Sequence, residues 1–419
     1  MKKYLFLCTL IAFQFSLLGQ QRVKVMHYNL LQYGSPEPCA PSLASKDSWL
    51  RNIVSHYQPD IFTVNEMAPN IAYANRIRQL VFNFTSMNHG QLTNQAGANL
   101  ANMIFYKTEL FGYDAEKSVV IANPVRDINV YALYELASAL AGDTTYLYCI
   151  VGHLKAGQST ADATARGIAA QSISDWIAAE GQSKNILLMG DMNIYFPSEA
   201  AYQALVLNSD TTRRLLDPTG LTSGWGSVHA IHMTQSTRSN ATDCGSGGGM
   251  DDRFDFIFAN STLWRHEAGI RYVPGSYAAF GNDGLSYNGP LNCSNNTPVP
   301  SSICTNLVQM SDHLPVVMEI EFDATTRIAP HASIPGLALR VLGQTSREQL
   351  TLELVAGNPS SAALQLALYD MQGRRQLSRA LLFHSQTLQI PVSSLAPGIY
   401  LLRISDASGR GFSRRVQVH

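Results

Sequence analysis

The chain has 419 residues, with 30 Lys plus Arg against 31 Asp plus Glu, a formal net charge of -1. Hydrophobic residues make up 46% and charged residues only 15%, which provides a real core and too little charge for a disordered chain. A strongly basic protein that coats nucleic acid is excluded, a local basic groove is not, and the length suits one large domain or two.

Lys2 and Lys3 precede an almost wholly apolar run, Tyr4 to Leu18, and Gly19-Gln20 offers a small-residue cleavage point. Residues 1–20 therefore read as an export signal. The run is short for a membrane span, and no later segment has 18 consecutive apolar residues, so no stable span is expected. Residues 21–323 then alternate strands and helices. Strand patterns cover Val23 to Leu31, Asp60 to Val64, Met103 to Tyr106, Thr144 to Leu154, Ile186 to Met189, Phe254 to Phe258 and Pro315 to Phe322. Helical spacing predicts helices over Asp47 to Tyr57 and Ala161 to Ala179, the second with Ile168, Ile173, Trp176 and Ile177 on one side. Ser223 to Asp252 and Gly275 to Met310 read as long polar loops. Many strands with few helices between them point to a layered α/β sandwich. Residues 324–343 are rich in Pro, Ala, Ser and Gly and read as a linker. Residues 344–419 carry short alternating strands punctuated by glycine, a small all-β sandwich domain.

Export makes disulfides permissible. After the signal five cysteines remain: Cys39, Cys149, Cys244, Cys293 and Cys304. Cys293 and Cys304 bracket one loop and are the first candidates to pair. Cys39 and Cys244 are the next. Cys149 sits in a strand pattern and is expected to be a buried free thiol. No two cysteines have the C-x2-C spacing of a zinc site.

Acidic, amide and imidazole groups recur at strand ends. Asn29, Glu66 and His153 each end a strand. Asp191 and Asn193 follow another. Asp255 lies within a strand, flanked by Phe254 and Phe256, where an unpaired carboxylate would be costly to bury. Asp312 and His313 precede the last strand of the region. A lone Asp or Asn after a strand is usually a turn residue or helix cap; six such segments converging on one rim are a site. Carboxylate and amide oxygens without thiolate match Mg²⁺, Mn²⁺ or Ca²⁺. With imidazoles beside them they suit metal-assisted phosphate ester hydrolysis.

Six pieces in order carry a family resemblance: His27-Tyr28-Asn29-Leu30, Val64-Asn65-Glu66, Gly152-His153-Leu154-Lys155, Met189-Gly190-Asp191-Met192-Asn193, Asp252-Arg253-Phe254-Asp255-Phe256-Ile257 and Ser311-Asp312-His313-Leu314-Pro315. In these the chain resembles the endonuclease/exonuclease/phosphatase superfamily, on its deoxyribonuclease-I-like side. The resemblance implies a four-layer α/β sandwich with two central mixed β-sheets. It implies that Glu66, with Asn29 and Asp312, holds a divalent cation, Mg²⁺ first. It implies that Asp191 and Asn193 position water and phosphate, that Asp255 holds His313 as base or phosphate contact, and that His153 is a second imidazole. Arg253 is expected to buttress its strand or touch phosphate. Leu31 stands where abasic-site enzymes carry a further metal-site Asp. No Glu or Tyr is in place to pair with His153, and Asn99 and Asn102 are the substitutes considered.

The tail resembles the C-terminal sorting domain of the type IX (Por) secretion system, through Leu368-Tyr369-Asp370-Met371-Gln372-Gly373-Arg374, Leu395-Ala396-Pro397-Gly398-Ile399-Tyr400 and a basic last strand. It implies passage through the periplasm to the cell surface or beyond, with the secretion machinery as partner for residues 344–419. Nucleic acid, DNA first and then RNA, is the leading substrate, and the protein is expected to be a monomer. His229, His232, Thr234, Gln235, Thr237, Arg238 and Asn240 of the first long loop are candidate backbone contacts, against the alternative of a solvated loop ordered by Cys244. A lipid or small phosphate ester is the second reading, with Tyr272-Val273 and Tyr277 to Phe280 as its apolar surface. A non-catalytic binding protein is the third. Residues 22–323 carry a net charge of -9, which weakens unassisted binding of nucleic acid.

Overall fold

A computed structural model describes residues 21–93, 99–141, 144–241 and 243–323, and in the tail 337–341, 349–356, 360–370, 374–384, 386–406 and 411–418. The export signal, residues 324–336 and 342–343 of the stretch read as linker, and Met371, Gln372 and Gly373 of the tail motif lie outside the described residues. In chain order the first unit comprises β1 (Gln21–Tyr33), α1 (Leu43–Tyr57), β2 (Ile61–Met67), α2 (Ile71–Arg76, continued by a π-helical turn over Ile77–Val81), β3 (Met87–His89), β4 (Ala101–Lys107), β5 (Phe111–Ile121), β6 (Ile128–Glu135), α3 (Leu136–Ala141), β7 (Tyr146–His153), α4 (Thr160–Glu180), β8 (Asn185–Asp191), α5 (Ala200–Leu205), β9 (Leu215–Leu216), β10 (Asp255–Asn260), α6 (Ser261–Trp264), β11 (Ile270–Tyr272), β12 (Ala278–Ala279), α7 (Ser301–Met310) and β13 (Val316–Phe322).

These strands form two mixed sheets. One has the order β11-β13-β1-β2-β4-β3, with β12 also on β13; the other has the order β5-β6-β7-β8-β10-β9. Each sheet has one parallel pair at its centre, β1 with β2 and β7 with β8. A parallel pair needs a crossover, and α1 and α4 supply the two. Val23, Val25, Ile61, Ile104, Val316 and Met318 of the first sheet meet Leu147, Cys149, Val151, Leu187, Met189 and Ile257 of the second in one buried cluster. The opposite faces pack against α1, α4, α5 and α7. The result is the four-layer α/β sandwich that the resemblance implies.

Local chemistry explains the helix limits. Ser42 caps α1 by accepting the Ser45 amide, and Gln58 ends it in the left-handed region (φ 59°). Ser159 and Asp162 form a reciprocal capping box on α4. The inward face of α4 is Arg166, Ala169, Ala170, Ile173, Ser174 and Ile177. Ile168, expected on that face, is instead 52% exposed. The second long loop also needs correction: α7 occupies its end, with Cys304, Leu307 and Met310 buried at helical spacing. Cys39 pairs with Cys244, Cys293 pairs with Cys304, and Cys149 is a buried free thiol, as the loop and strand contexts indicated.

The tail is all antiparallel, a three-stranded sheet (Leu337–Val341, Gln349–Ala356, Gln386–Pro391) and a four-stranded one (Arg375–Phe383, Ser360–Asp370, Gly398–Asp406, Gly411–Val418). Leu337–Val341 is thus a strand within the stretch read as linker. Leucine and isoleucine from both sheets, among them Leu352, Leu366, Ile390 and Leu402, share one core. Among the described residues no helix is long and apolar enough to cross a membrane.

Gly190 sits opposite Gly152 in the parallel register of β7 and β8. A Cβ on Gly190 would lie 1.9 Å from the Gly152 carbonyl oxygen, so only glycine fits there. Gly190→Ala is expected to destabilise the fold by about 3 kcal/mol or more. Gly226→Ala, with nothing within 4 Å of its added Cβ, is the control expected to stay near wild type in chemical denaturation.

Candidate active site

The two sheets bring the polar strand ends together by simple alternation. Side chains two apart on a strand share a face. On β1 the inter-sheet face reads Val23, Val25, His27, Asn29. On β2 it reads Ile61, Thr63, Asn65. On β7 it reads Leu147, Cys149, Val151, His153, and on β8 Leu187, Met189, Asp191. On β10 it reads Asp255, Ile257, Ala259 from the other direction. The inter-sheet layer is therefore apolar along most of its length and polar at one rim. Register completes the convergence: Asn29 pairs with Asn65, His153 with Asp191, and Asp191 with Asp255.

Glu66 breaks the alternation, because it lies in the left-handed region (φ 57°) where β2 changes register against β4 between Val64 and Met67. The bulge re-aims its carboxylate to the rim. Leu31 and Gln32, at φ 45° and 56°, make a matching irregularity at the end of β1.

The side chains form one connected set. Asn29 Nδ2 donates to Glu66 Oε1 (3.1 Å) and to Asp191 Oδ2 (3.0 Å), while Asn29 Oδ1 accepts from the Leu31 amide (2.9 Å). His153 Nε2 lies 3.8 Å from Glu66 Oε1 and 3.5 Å from Asp191 Oδ2. His313 Nε2 lies 3.7 Å from the same Asp191 oxygen, and its Nδ1 lies 2.7 Å from Asp255 Oδ2. The Asn193 amide donates to Asp191 Oδ1 (3.1 Å), and its side chain donates to the Leu154 carbonyl (3.3 Å). Asp312 Oδ2 accepts from Gln235 Nε2 (3.0 Å) and the Ser246 amide (2.7 Å). All eight residues expected at the site lie at this rim. Asn29 was expected as an oxygen donor to a cation; here its oxygen faces Leu31 and its nitrogen joins two carboxylates.

Burial dominates the electrostatics. It pushes the Asp191 carboxyl up to about 7, against the pull of His313, and raises Glu66 above its usual value. It holds His153 well below the ordinary histidine range, reinforced by Arg126. Burial opposes charge on His313 as well, but Asp255 and Asp191 outweigh it and hold that imidazole well above its usual value. Gln235 Nε2 faces His313 Nε2 at 2.7 Å, a contact that fits the neutral ring. The two imidazoles beside Asp191 thus have opposed tendencies.

The donor set fits a hard divalent cation. Ligand atoms of Glu66, His153 and Asp191 lie within 4.8 Å of one another. Asp255 Oδ1, Asp312 Oδ1 and His153 Nδ1 are buried without a hydrogen-bond partner. Buried carboxylate oxygens without donors are costly, and a cation at the rim offsets that cost.

Several neighbours escaped the sequence reading. Gln235 bridges Asp312 and His313; it was named only as a loop residue for substrate contact. Arg126 donates to the carbonyls of His153 (3.4 Å) and Leu154 (3.1 Å). Asn65 accepts the Asp191 amide (2.8 Å), and Asn102 donates to Asn129 (3.0 Å) and the Val151 carbonyl (3.1 Å) while accepting from Asn65 (2.7 Å). Asn102 is therefore part of the inter-sheet scaffold and does not pair with His153. Arg253 is wholly buried, forked onto Asp217 (2.7 and 2.8 Å) and stacked 4.5 Å from the Phe256 ring; of its two expected roles it buttresses. In the first long loop Thr234 and Thr237 are fully buried, and Arg238 donates to the Val308 carbonyl (2.9 Å) and pairs with Asp243. These three serve the fold and are buried, where the alternative had a solvated loop ordered by Cys244. On the second reading's apolar surface, Tyr277 bonds Arg253 and Tyr272 stacks on Trp264 at 4.6 Å.

Residues 26–313 match the model of the endonuclease/exonuclease/phosphatase family, and residues 346–418 match that of the secretion system C-terminal sorting domain. Among solved structures, the chain is similar to TDP2 of D. rerio complexed with single-strand DNA product (16% identity, 71% of this chain and 98% of that chain, TM-score 0.46). It is similar to an endonuclease/exonuclease/phosphatase family protein of Bacteroides thetaiotaomicron (15% identity, 73% and 99%, TM-score 0.45) and to a mannosyl-6-phosphatase of the same organism (13% identity, 72% and 100%, TM-score 0.41). No curated protein matches it in sequence.

His27, behind the site, supplies a pH test. Its Nδ1 meets Thr63 Oγ1 at 3.0 Å, and burial pushes its pKa down to about 4, against the attraction of Asp255. The unfolded chain binds a proton near pH 6.5, which the folded chain refuses until about pH 4. Stability is therefore lost as pH falls through that window, by about 2 kcal/mol between pH 7 and pH 5. Urea denaturation at the two pH values is expected to show that much less loss for His27→Gln than for wild type.

Proposed function

We propose that this chain, which belongs to the endonuclease/exonuclease/phosphatase family and is therefore a metal-dependent phosphoric ester hydrolase with a secretion sorting tail, cleaves phosphodiesters outside the cell, with DNA as the leading substrate. The observation that carries the reading is the pair of imidazoles, His153 and His313, directed at one oxygen of Asp191 at 3.5 and 3.7 Å. Hydrolysis of a phosphodiester needs a proton taken from water and a proton given to the leaving oxygen, and two imidazoles with opposed tendencies suit those two tasks.

Glu66 and Asp312 would hold the cation, Mg²⁺ with Mn²⁺ and Ca²⁺ as alternatives, while Asn29, expected to help hold it, instead fixes the Glu66 carboxylate through Nδ2. A bound divalent cation supplies charge neutralisation to the phosphate. Asp191 and Asn193 orient the attacking water. His153, held neutral, accepts at Nε2. His313, held by Asp255 and drawn toward charge, contacts the phosphate oxygens and in its charged form donates at Nε2, in place of the base role that the resemblance allowed. The attack forms the new oxygen–phosphorus bond as the ester bond breaks, and the proton from His313 goes to the departing alkoxide.

A second substrate class is favoured by one observation. Arg238 and Arg253, two cations close to the site in sequence, are committed to internal partners. With a net charge of -9 over residues 22–323, a substrate with few phosphates, lipid or soluble, demands less cationic surface than a polymer.

The mature protein should be assayed on plasmid DNA, RNA, sphingomyelin and a bis-aryl phosphodiester with Mg²⁺, then with EDTA. DNA cleavage abolished by EDTA is expected, as is a loss of kcat/KM of roughly 100-fold to 10,000-fold in His313→Ala and Asp191→Asn. Cleavage of sphingomyelin or the aryl ester without DNA cleavage would transfer the assignment to the second class, and full activity in both variants would refute the site. The tail has its own readout: a chain ending at residue 343 is expected to accumulate, folded, in the periplasm.

A further inference from the structure

We infer that Lys46 is the positioning residue of the candidate cation site, acting through two successive peptide groups at the end of β1. The inference rests on the reading of Glu66 as a residue that holds the cation, with Asn29 fixing its carboxylate.

Lys46 lies in α1 and is only 1% exposed. Its Nζ donates to the carbonyls of Leu30 (2.8 Å), Leu31 (2.5 Å) and Met310 (3.3 Å). An ammonium has three hydrogens, and all three are used. Among the described residues no carboxylate pairs with it directly; backbone oxygens take its hydrogens, so the buried charge is a strong claim on those peptides.

A peptide group is planar, with its C=O and N–H pointing to opposite sides. Lys46 holds the Leu30 carbonyl, and the N–H of the same peptide, that of Leu31, donates to Asn29 Oδ1 at 2.9 Å. Lys46 also holds the Leu31 carbonyl, and the N–H of that peptide, that of Gln32, donates to Glu66 Oε2 at 3.1 Å. Each peptide is thus clamped between the buried ammonium on one side and a site residue on the other. Leu31 and Gln32 both sit at positive φ, a conformation that costs a non-glycine residue about 1 kcal/mol. The clamp offsets that cost.

The consequence reaches the site atoms. With Oδ1 occupied, Asn29 turns Nδ2 to Glu66 and Asp191. With Oε2 occupied, Glu66 keeps Oε1 toward Asn29 and His153. The third bond of Lys46 holds Met310, the last residue of α7, two positions before Asp312. One ammonium therefore references the β1 rim and the segment carrying Asp312 to the same point.

The test uses the mature full-length protein. Mn²⁺ affinity is measured by electron paramagnetic resonance, and exchange of the Leu31 and Gln32 amides is followed without metal. Lys46→Met is expected to weaken Mn²⁺ binding roughly 10-fold to 100-fold and to expose both amides. Leu50→Ala creates a cavity under the same helix without touching either peptide; it should lose stability and keep wild-type Mn²⁺ affinity. Lys46→Gln, which retains one donor group, should fall between, and replaces Lys46→Met if that variant does not fold. Wild-type Mn²⁺ affinity and amide protection in the Lys46 variants would overturn the inference, and so would an equal loss of affinity in Leu50→Ala. A wild-type protein that binds no Mn²⁺ would instead refute the cation site, while amide exchange would still report whether Lys46 clamps the two peptides.

Discussion

Asp191 ties the two halves of the sandwich together at the site: its amide on the second sheet donates to Asn65 Oδ1 on the first, at 2.8 Å, and its carboxylate accepts from Asn29 Nδ2 of the first, at 3.0 Å. Asn65 is itself held by Asn102, Asn102 by Asn129, and Asn129 by Thr93. Buried amides are stable only when their groups are satisfied. This chain of side chains does that while it crosses between sheets that otherwise meet through apolar contacts. Aliphatic contact is non-directional and would tolerate sliding. The polar rim cannot slide without breaking several buried bonds, so the register of the candidate catalytic groups follows from it.

The same rim concentrates charge where water is scarce. Asp191, Asp255, His153 and His313 are each at most 4% exposed. Burial is the largest influence on the protonation of Asp191, His153 and His313, and charged neighbours act with it or against it. Asp255 lies opposite Asp191 on the neighbouring strand, so two carboxylates share one imidazole between them. That arrangement separates the two histidines electrostatically: His313 is pulled toward charge, and His153 is kept from it by burial and by Arg126. Acid and base roles of this kind arise from placement and need no difference in residue type.

Much of this was legible in sequence. The Gly190-Asp191-x-Asn193 and Ser311-Asp312-His313 pieces mark strand ends because glycine and paired polar residues interrupt runs of β-branched and aromatic residues. The glycine at 190 has a steric cause visible only in the pairing with Gly152. The β5–β6 pair went unassigned because β5 is largely polar and partly exposed, a poor match to any strand template. Helix α7 was hidden within a loop-like context of Pro and Ser. Its apolar residues at 304, 307 and 310 had helical spacing, but the run is short.

The sequence by itself carried the strand patterns, the polar groups at their ends and the motif pieces on which the resemblance to the family and to the sorting tail rests, because each of these depends on local order along the chain. Tertiary structure decided which polar groups serve chemistry and which serve the fold. In the sequence Arg253 stands between buttressing its strand and touching phosphate, Arg238 reads as a candidate substrate contact, Asn102 as a candidate partner of His153 and Lys46 as nothing in particular, yet each is buried and committed to internal partners. Gln235, a loop residue in sequence, stands beside Asp312 and His313. The partners lie from 36 to 264 positions away in the case of Arg253 with Asp217 and Lys46 with Met310. A side chain's partner at such separations is set by the packing of two sheets and their covering helices, a property of the folded chain that no local stretch of sequence contains.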